Sequence, residues 1–170
     1  MDTSALLIEA YRRIQELVEV ASDGLDTAGL TYRPEPGANS IAWLVWHLSR
    51  VQDDHLSEIV GTDQVWADPG WTEQTGIDRG VSETGFGDNP DNVAAVVPTS
   101  AEALVAYHTS VMERTLEYLA AVDESELDRI IDRSYDPPVS VGVRLVSVIS
   151  DNIQHAGQAR YLRGIIERLP

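Results

Sequence analysis

The sequence contains no cysteine, and this absence removes several kinds of chemistry at once. Without a thiol, the chain can form no disulfide, no thiolate metal site and no cysteine nucleophile. Lysine is also absent: all 12 basic residues are arginine, against 28 acidic residues and a formal net charge of −16. Because a phosphate-binding surface would work against this charge, we expect no nucleic acid partner.

Long hydrophobic runs are lacking as well. The apolar stretches are far shorter than the roughly 20 residues that a membrane-spanning helix requires. The amino terminus carries Asp2 and has neither a basic segment nor a long apolar one, so it does not resemble a signal peptide. We therefore expect no membrane association and a cytoplasmic location.

The remaining composition is that of an ordinary globular protein, with 43% hydrophobic and 24% charged residues. A length of 170 residues suits one domain, so we predict a single domain over residues 1–170. Apolar residues recur at helical spacing over residues 5–21, 40–60, 100–121 and 140–168. No alternating strand pattern persists. The sequence predicts an all-α, four-helix bundle with a long connection between helices two and three.

Local signals mark the ends of these helices. Asn39 or Ser40 can cap the second helix, Ser140 can cap the fourth, and Gly61 can end the second. Prolines exclude a helix from residues 30–37, and residues 124–131 favour a short helical turn. These signals place the connection at residues 62–99.

The connection is rich in Gly, Pro, Asp, Asn and Thr and also carries aromatic residues. A segment of this length is either a lid over a binding site or a plain crossover between distant helices. If it folds over the bundle, we expect a substrate cavity lined by Trp66, Trp71, Phe86, Tyr107 and His108. The alternative is that these aromatic side chains belong to the core.

Asp151 and His155 lie four residues apart in the fourth helix, on one face and about 6 Å apart along its axis. A carboxylate and an imidazole at this spacing can converge on one metal ion and leave positions open for water or substrate. The same spacing also occurs in ordinary solvated pairs. A third ligand from another helix is therefore needed.

The remaining histidines are His47, His55 and His108. His47 is our choice, because it lies in an apolar stretch with Trp43 and Trp46, where an imidazole requires a partner. His55 is about 12 Å further along the same helix, so His47 and His55 cannot readily bind the same ion. A core histidine bonded to a nearby carbonyl remains the alternative for His47.

Two segments carry a resemblance to a known family. The run from Asn39 to Leu48 (NSIAWLVWHL) and the run from Asp151 to Gln158 (DNIQHAGQ) resemble the two signature helices of DinB-like proteins. The order and spacing match over essentially the whole chain. The element from Trp46 to His55 further resembles an actinobacterial branch of that superfamily.

The resemblance implies a metal site. In the superfamily, one ligand comes from the second helix and two come from a His-x-x-x-His element in the fourth, which corresponds here to His47, Asp151 and His155. Asp151 replaces the first histidine of that element. Two imidazoles and a carboxylate suit zinc, which we expect, and also nickel, iron or manganese. Gln158, on the same face, either supports His155 or is an ordinary surface glutamine.

The resemblance also implies an activity, because characterised members are mainly metal-dependent transferases and isomerases that use mycothiol or bacillithiol. We expect a metal-dependent transferase in which a low-molecular-weight thiol attacks a small electrophile. Asp54 and His55 would accept a proton near the mouth of the site, or simply form the polar end of their helix.

Two other functions remain open: a non-catalytic, stress-associated protein with a vestigial metal site, favoured by Asp151, and a hydrolase that uses metal-bound water. Exposed helix faces would also support a homodimer.

Overall fold

Four long helices dominate the chain, and the computed structural model describes residues 1–169. In chain order the helices are α1 (Thr3–Ser22), α2 (Thr27–Thr31), α3 (Ile41–Val60), α4 (Pro69–Thr75), α5 (Pro90–Ala94), α6 (Ala101–Ala121), α7 (Glu124–Leu127) and α8 (Val141–Ile166). The long ones are α1, α3, α6 and α8. None of the described helices is both long and apolar enough to cross a membrane.

Side chains cap each long helix at its amino end. Asp2, Ser40, Ser100 and Ser140 each accept a hydrogen bond from a backbone N–H three residues further on. Such caps satisfy one of the free N–H groups of the first turn. Gly61 ends α3 in the left-handed conformation, with φ of +76°. The predicted caps at Ser40 and Ser140 and the predicted end at Gly61 are confirmed.

The four long helices pack in a ring, in which α3 contacts α6 and α8, and α1 contacts the same two helices from the other side. Their inward faces form one core with fully buried aliphatic side chains such as Ile14, Val18, Leu48, Leu104 and Val111. The predicted all-α, four-helix architecture is confirmed. The direct packing of α3 on α8 brings together the two helices that carry the predicted metal ligands.

The connection between α3 and α6 is held on the bundle by a buried ion pair. Arg50 and Asp53, one turn apart in α3, are 0% and 1% exposed, and their charged atoms are 3.2 Å apart. Asp53 accepts the backbone N–H groups of Val65 and Trp66 at 2.8 and 2.9 Å. Arg50 donates to the carbonyl oxygen of Val81 at 2.6 Å. The connection therefore folds over α3 as a defined layer that includes a 3₁₀ turn at Val65–Ala67.

Three local predictions need correction. A two-stranded antiparallel hairpin is present, with β1 (Ile130–Asp132) paired to β2 (Val139–Ser140), and the helical turn predicted for residues 124–131 ends at Leu127. Strands of three and two residues are too short to show an alternating pattern. The short helix α2 includes Leu30 and Thr31, where we predicted none, because Asp26 caps it and it ends before Pro34.

Candidate metal centre

His47 from α3 and Asp151 and His155 from α8 meet where the two helices pack. One donor atom from each lies within 4.8 Å of the other two. Ligands of a tetrahedral ion, each about 2.1 Å from it, are about 3.4 Å apart, so donors at this spacing would move together by up to about 1.4 Å on binding. The imidazole rings of His47 and His155 are 4.9 Å apart, edge to face. The structure thus brings together the three residues predicted as ligands.

His47 is held in one orientation and one tautomer. Its side chain is buried, with only 4% of the residue exposed, and stacks on Trp43 with the ring centroids 4.5 Å apart. Its Nδ1 lies 2.6 Å from the carbonyl oxygen of Thr84. Because a carbonyl only accepts, Nδ1 carries the proton and Nε2 has the free lone pair. Burial lowers the pKa of His47, which favours the neutral form that a metal ligand requires.

Gln158 holds His155 in a similar way. Its Oε1 lies 3.0 Å from Nδ1 of His155, so Nδ1 donates to the amide oxygen. This leaves Nε2, which lies 3.6 Å from Oδ1 of Asp151. The adjacent carboxylate of Asp151 raises the pKa of His155, and the bond to Gln158 adds to that effect. Each imidazole therefore has Nδ1 engaged by a neighbour, as in metal sites with supported ligands, and Nε2 of His155 faces the carboxylate of Asp151.

Asp151 supplies an oxygen with no partner. Its Oδ2 is shielded from solvent and accepts no hydrogen bond from any side chain or backbone group in residues 1–169. Burial opposes ionisation, but the nearby imidazoles of His155 and His47 outweigh it, and the pKa of Asp151 is lowered. A shielded carboxylate oxygen without a hydrogen-bond partner, beside two imidazoles, is a suitable site for a cation. The donor set of two nitrogens and one oxygen fits zinc, iron, manganese or nickel.

A cavity of about 370 Å³ opens beside the triad. It is lined by His47, Val51, Asp54, His55, Thr84, Phe86, Ser147, Val148 and Asp151. This volume is within the range of small-molecule sites. The structure places Asp54 and His55, which we expected near the mouth, on the wall of this cavity.

His55 is surrounded by charged groups. Its Nδ1 lies 3.6 Å from Oε2 of Glu58 and 3.9 Å from Oδ2 of Asp54. Arg144 approaches the same Glu58 oxygen at 3.8 Å. Burial and the positive charge of Arg144 lower the pKa of His55. The neutral form of its imidazole is therefore favoured.

Of the five residues that we expected to line a substrate cavity, Phe86 lines the cavity beside the triad, and the other four, Trp66, Trp71, Tyr107 and His108, lie elsewhere. Trp66 is buried against Tyr107, and its Nε1 donates to the carbonyl oxygen of Arg79. Trp71 also packs on Tyr107. His108 is completely buried, with Nδ1 3.0 Å from Oγ of Ser49. None of them lines the cavity beside the triad, because the connection carries its tryptophans into the core around Tyr107.

Sequence reasoning missed the segment that locks His47. Thr84 supplies the carbonyl, and Gly85 follows with φ of +90°. A Cβ on Gly85 would lie 2.9 Å from Nδ1 of His47 and 3.0 Å from the ring of Trp46. The spacing Gly85-Phe86-Gly87 was the available signal, since paired glycines mark tight turns and close approaches of the backbone.

Comparisons with known proteins agree with this fold. The sequence matches the DinB superfamily over residues 9–159. A crystal structure from Enterococcus faecalis, described as that of a conserved protein, is 31% identical in sequence, superposes with a TM-score of 0.90 and is matched over 98% of each chain. Among curated proteins the comparison found no match. Since the family match spans most of the sequence, the chain belongs to the DinB superfamily.

Proposed function

We propose that the protein is a metal-dependent transferase that joins a low-molecular-weight thiol, of the mycothiol type, to a small electrophile. The observation that carries the proposal is the unpartnered Oδ2 of Asp151 beside two imidazoles whose Nδ1 atoms are already engaged. Family membership supports the same reading. Zinc is the ion that we propose, because two imidazoles and a carboxylate with an open position form a common catalytic zinc site.

In this proposal, His47, Asp151 and His155 hold the ion through Nε2, a carboxylate oxygen and Nε2. A bound divalent ion lowers the pKa of a coordinated thiol, so that a thiolate exists at neutral pH. The protein orients the ligands and the reactants: Thr84 and Gln158 orient the imidazoles of His47 and His155, and the cavity confines the reactants.

His55 is the residue that we propose to receive the thiol proton. It lines the cavity with His47 and Asp151, and the neutral form of its imidazole is favoured because burial and Arg144 lower its pKa. Once protonated, it would be stabilised by Glu58, 3.6 Å from Nδ1. The sulfur then forms a bond to the electrophilic carbon, and the leaving group departs with its electron pair.

The first test is metal content, measured by elemental mass spectrometry on protein purified without an affinity tag. We expect near-stoichiometric metal in the wild type and in Asp54→Asn, which alters a cavity carboxylate outside the triad. Metal should be lost in His47→Ala and Asp151→Ala. Absence of metal in the wild type, with no uptake of zinc, nickel or manganese, would refute the proposal and favour a non-catalytic bundle protein.

The second test separates thiol transfer from hydrolysis. Adding 2-mercaptoethanol to cobalt-substituted protein should produce the ultraviolet charge-transfer band of a cobalt–thiolate bond. The band should be absent from Asp151→Ala. Metal binding without this band would exclude the thiol and support water as the nucleophile.

A further inference from the structure

Phe86 is the single phenylalanine of the chain, and it is 92% exposed. It lies in the turn Gly85–Asp88, in which the N–H of Asp88 donates to the carbonyl oxygen of Gly85 at 3.1 Å. An isolated exposed apolar residue is ordinary on a protein surface. Phe86 differs from such residues because it lines the cavity beside the triad of His47, Asp151 and His155.

The turn is fastened at both ends to α3. Before it, the carbonyl oxygen of Thr84 binds Nδ1 of His47 at 2.6 Å. At its end, Asp88 accepts from Nε1 of Trp43 at 2.9 Å and from Arg79 at 2.8 Å. Trp43 and His47 are one helical turn apart and stacked on each other. The backbone that carries Phe86 is thus held against the same α3 residues that form one side of the metal site.

The lining of the cavity includes both apolar and polar side chains. Val51, Val148 and Phe86 are apolar, and His47 and Asp151 belong to the triad. Among the described residues, no arginine or lysine lines the cavity, and the neighbouring Arg144 is directed to Glu58 and Asp132. No arginine of the lining would compensate a carboxylate or a phosphate, so an uncharged group is favoured beside Val51, Val148 and Phe86.

We propose that Phe86 determines substrate specificity by packing against a compact, uncharged apolar group, aryl or branched alkyl, of the molecule that reacts at the triad. The identification of the reacting end rests on the proposed function; the apolar contact itself does not require a metal. The backbone that carries Phe86 is already bonded at both ends of the turn, so it loses little conformational freedom on binding, and an aromatic side chain on such a turn is an effective anchor.

The first experiment uses metal-free protein and 4-fluorobenzyl alcohol as the probe, with dissociation constants from ¹⁹F NMR titration. We expect Phe86→Ala to weaken binding about five- to tenfold, as removal of one aromatic contact does. Phe86→Leu should keep most of the affinity. Tyr161→Ala is the matched control, because Tyr161 is 73% exposed on α8 and does not line the cavity.

Since the side chain of Phe86 is exposed, its replacement should leave the fold intact, and equal melting temperatures would show this. Equal probe affinity in the wild type and Phe86→Ala, or no binding to either, would overturn the proposal. Conversion of a dimer to a monomer by Phe86→Ala, measured by light scattering, would also overturn it, since Phe86 would then belong to a contact between copies.

The second experiment distinguishes this proposal from the proposed function. Benzyl mercaptan and 2-mercaptoethanol are titrated into cobalt-substituted protein. The wild type should prefer benzyl mercaptan, and Phe86→Ala should lose about five- to tenfold of that preference. If both thiols bind cobalt without Phe86-dependent preference, the specificity proposal fails and the thiol proposal stands. If neither binds cobalt, the thiol proposal fails, and the NMR titration alone decides the role of Phe86.

Discussion

Asn152 in α8 donates a hydrogen bond from Nδ2 to Oε1 of Gln52 in α3 at 2.8 Å, with both side chains fully buried. Gln52 also donates from Nε2 to Oγ1 of Thr115 in α6 at 2.7 Å. These two hydrogen bonds join α3, α6 and α8. Asn152 follows Asp151 directly, so the bond between Asn152 and Gln52 also fixes the position of Asp151 along α8 relative to His47 of α3.

Replacing Gln52 by leucine should lower the free energy of unfolding by about 2 kcal/mol, because the amide of Asn152 would be left buried without an acceptor. Chemical denaturation measures this change. Gln15→Leu is the control, since Gln15 bonds only to Glu19 on the surface, and a change below about 0.5 kcal/mol is expected. Zinc affinity should fall in Gln52→Leu and remain unchanged in Gln15→Leu. Equal free energies of unfolding for the two variants would contradict the role of Gln52 in joining the helices.

Asp53→Asn should destabilise the protein by about 3 kcal/mol or more. The substitution leaves the guanidinium of Arg50 buried without its counter-ion, and removal of one partner from a buried pair is strongly unfavourable. It also weakens the anchoring of Val65 and Trp66. Limited proteolysis should therefore cut residues 62–99 faster than in the wild type. Asp63→Asn, an exposed change in the same connection, should alter neither quantity.

Gly85→Ala and Gly87→Ala form a matched pair. Both glycines have positive φ, +90° and +78°, so either alanine introduces backbone strain of about 1 to 2 kcal/mol. Only the Cβ at position 85 meets His47 and Trp46, whereas nothing lies within 4 Å at position 87. Zinc affinity, measured by competition with a chelator, should fall in Gly85→Ala and stay near the wild-type value in Gly87→Ala. Equal zinc affinities in the two variants would refute the proposed clamp on His47.

His108 should contribute to acid sensitivity. Burial lowers its pKa to about 4, below the ordinary value of 6.5 that it regains on unfolding. Between these values the unfolded chain binds more protons, so the stability of the folded state falls as pH decreases from 6.5 to 4. Summed over that window, the loss is on the order of 3 kcal/mol.

The variant His108→Gln lacks this titration. Its free energy of unfolding should therefore depend less on pH, by up to about 1.4 kcal/mol per pH unit between 6.5 and 4. Urea denaturation at pH 7 and at pH 5 gives the comparison, and the difference between the two pH values removes any constant cost of the substitution. Parallel curves for the variant and the wild type would refute the effect.

The long helices and the ligand triad were predictable because their signals are local. The spacing of Asp151 and His155 follows directly from helical geometry, and the serines before α3, α6 and α8 cap them through bonds only three residues long. His47 could be selected because an imidazole in an apolar stretch needs a partner. The resemblance to DinB-like proteins supplied the pairing between the helices, which spacing within one helix cannot provide.

The layer formed by the connection could not be predicted in the same way. Its position depends on Arg50 and Asp53, which look like ordinary surface residues of a helix and are in fact buried by the segment that they hold. Trp66 and Trp71 likewise have no periodic pattern to indicate which side they face. The clamp on His47 is a backbone carbonyl, which any residue at position 84 supplies, so the sequence signals only the tight turn at Gly85 and Gly87 and not the bond to His47.

His47 and Asp151 are separated by more than a hundred residues of chain, and the donor cluster exists only while α3 and α8 are packed together. An ion that binds this cluster therefore binds the folded state and has no equivalent site on the unfolded chain. By mass action, a free ion concentration one hundredfold above the dissociation constant would add about 2.7 kcal/mol to the free energy of unfolding. The free energy of unfolding of this protein would then depend on the concentration of the free ion in its surroundings.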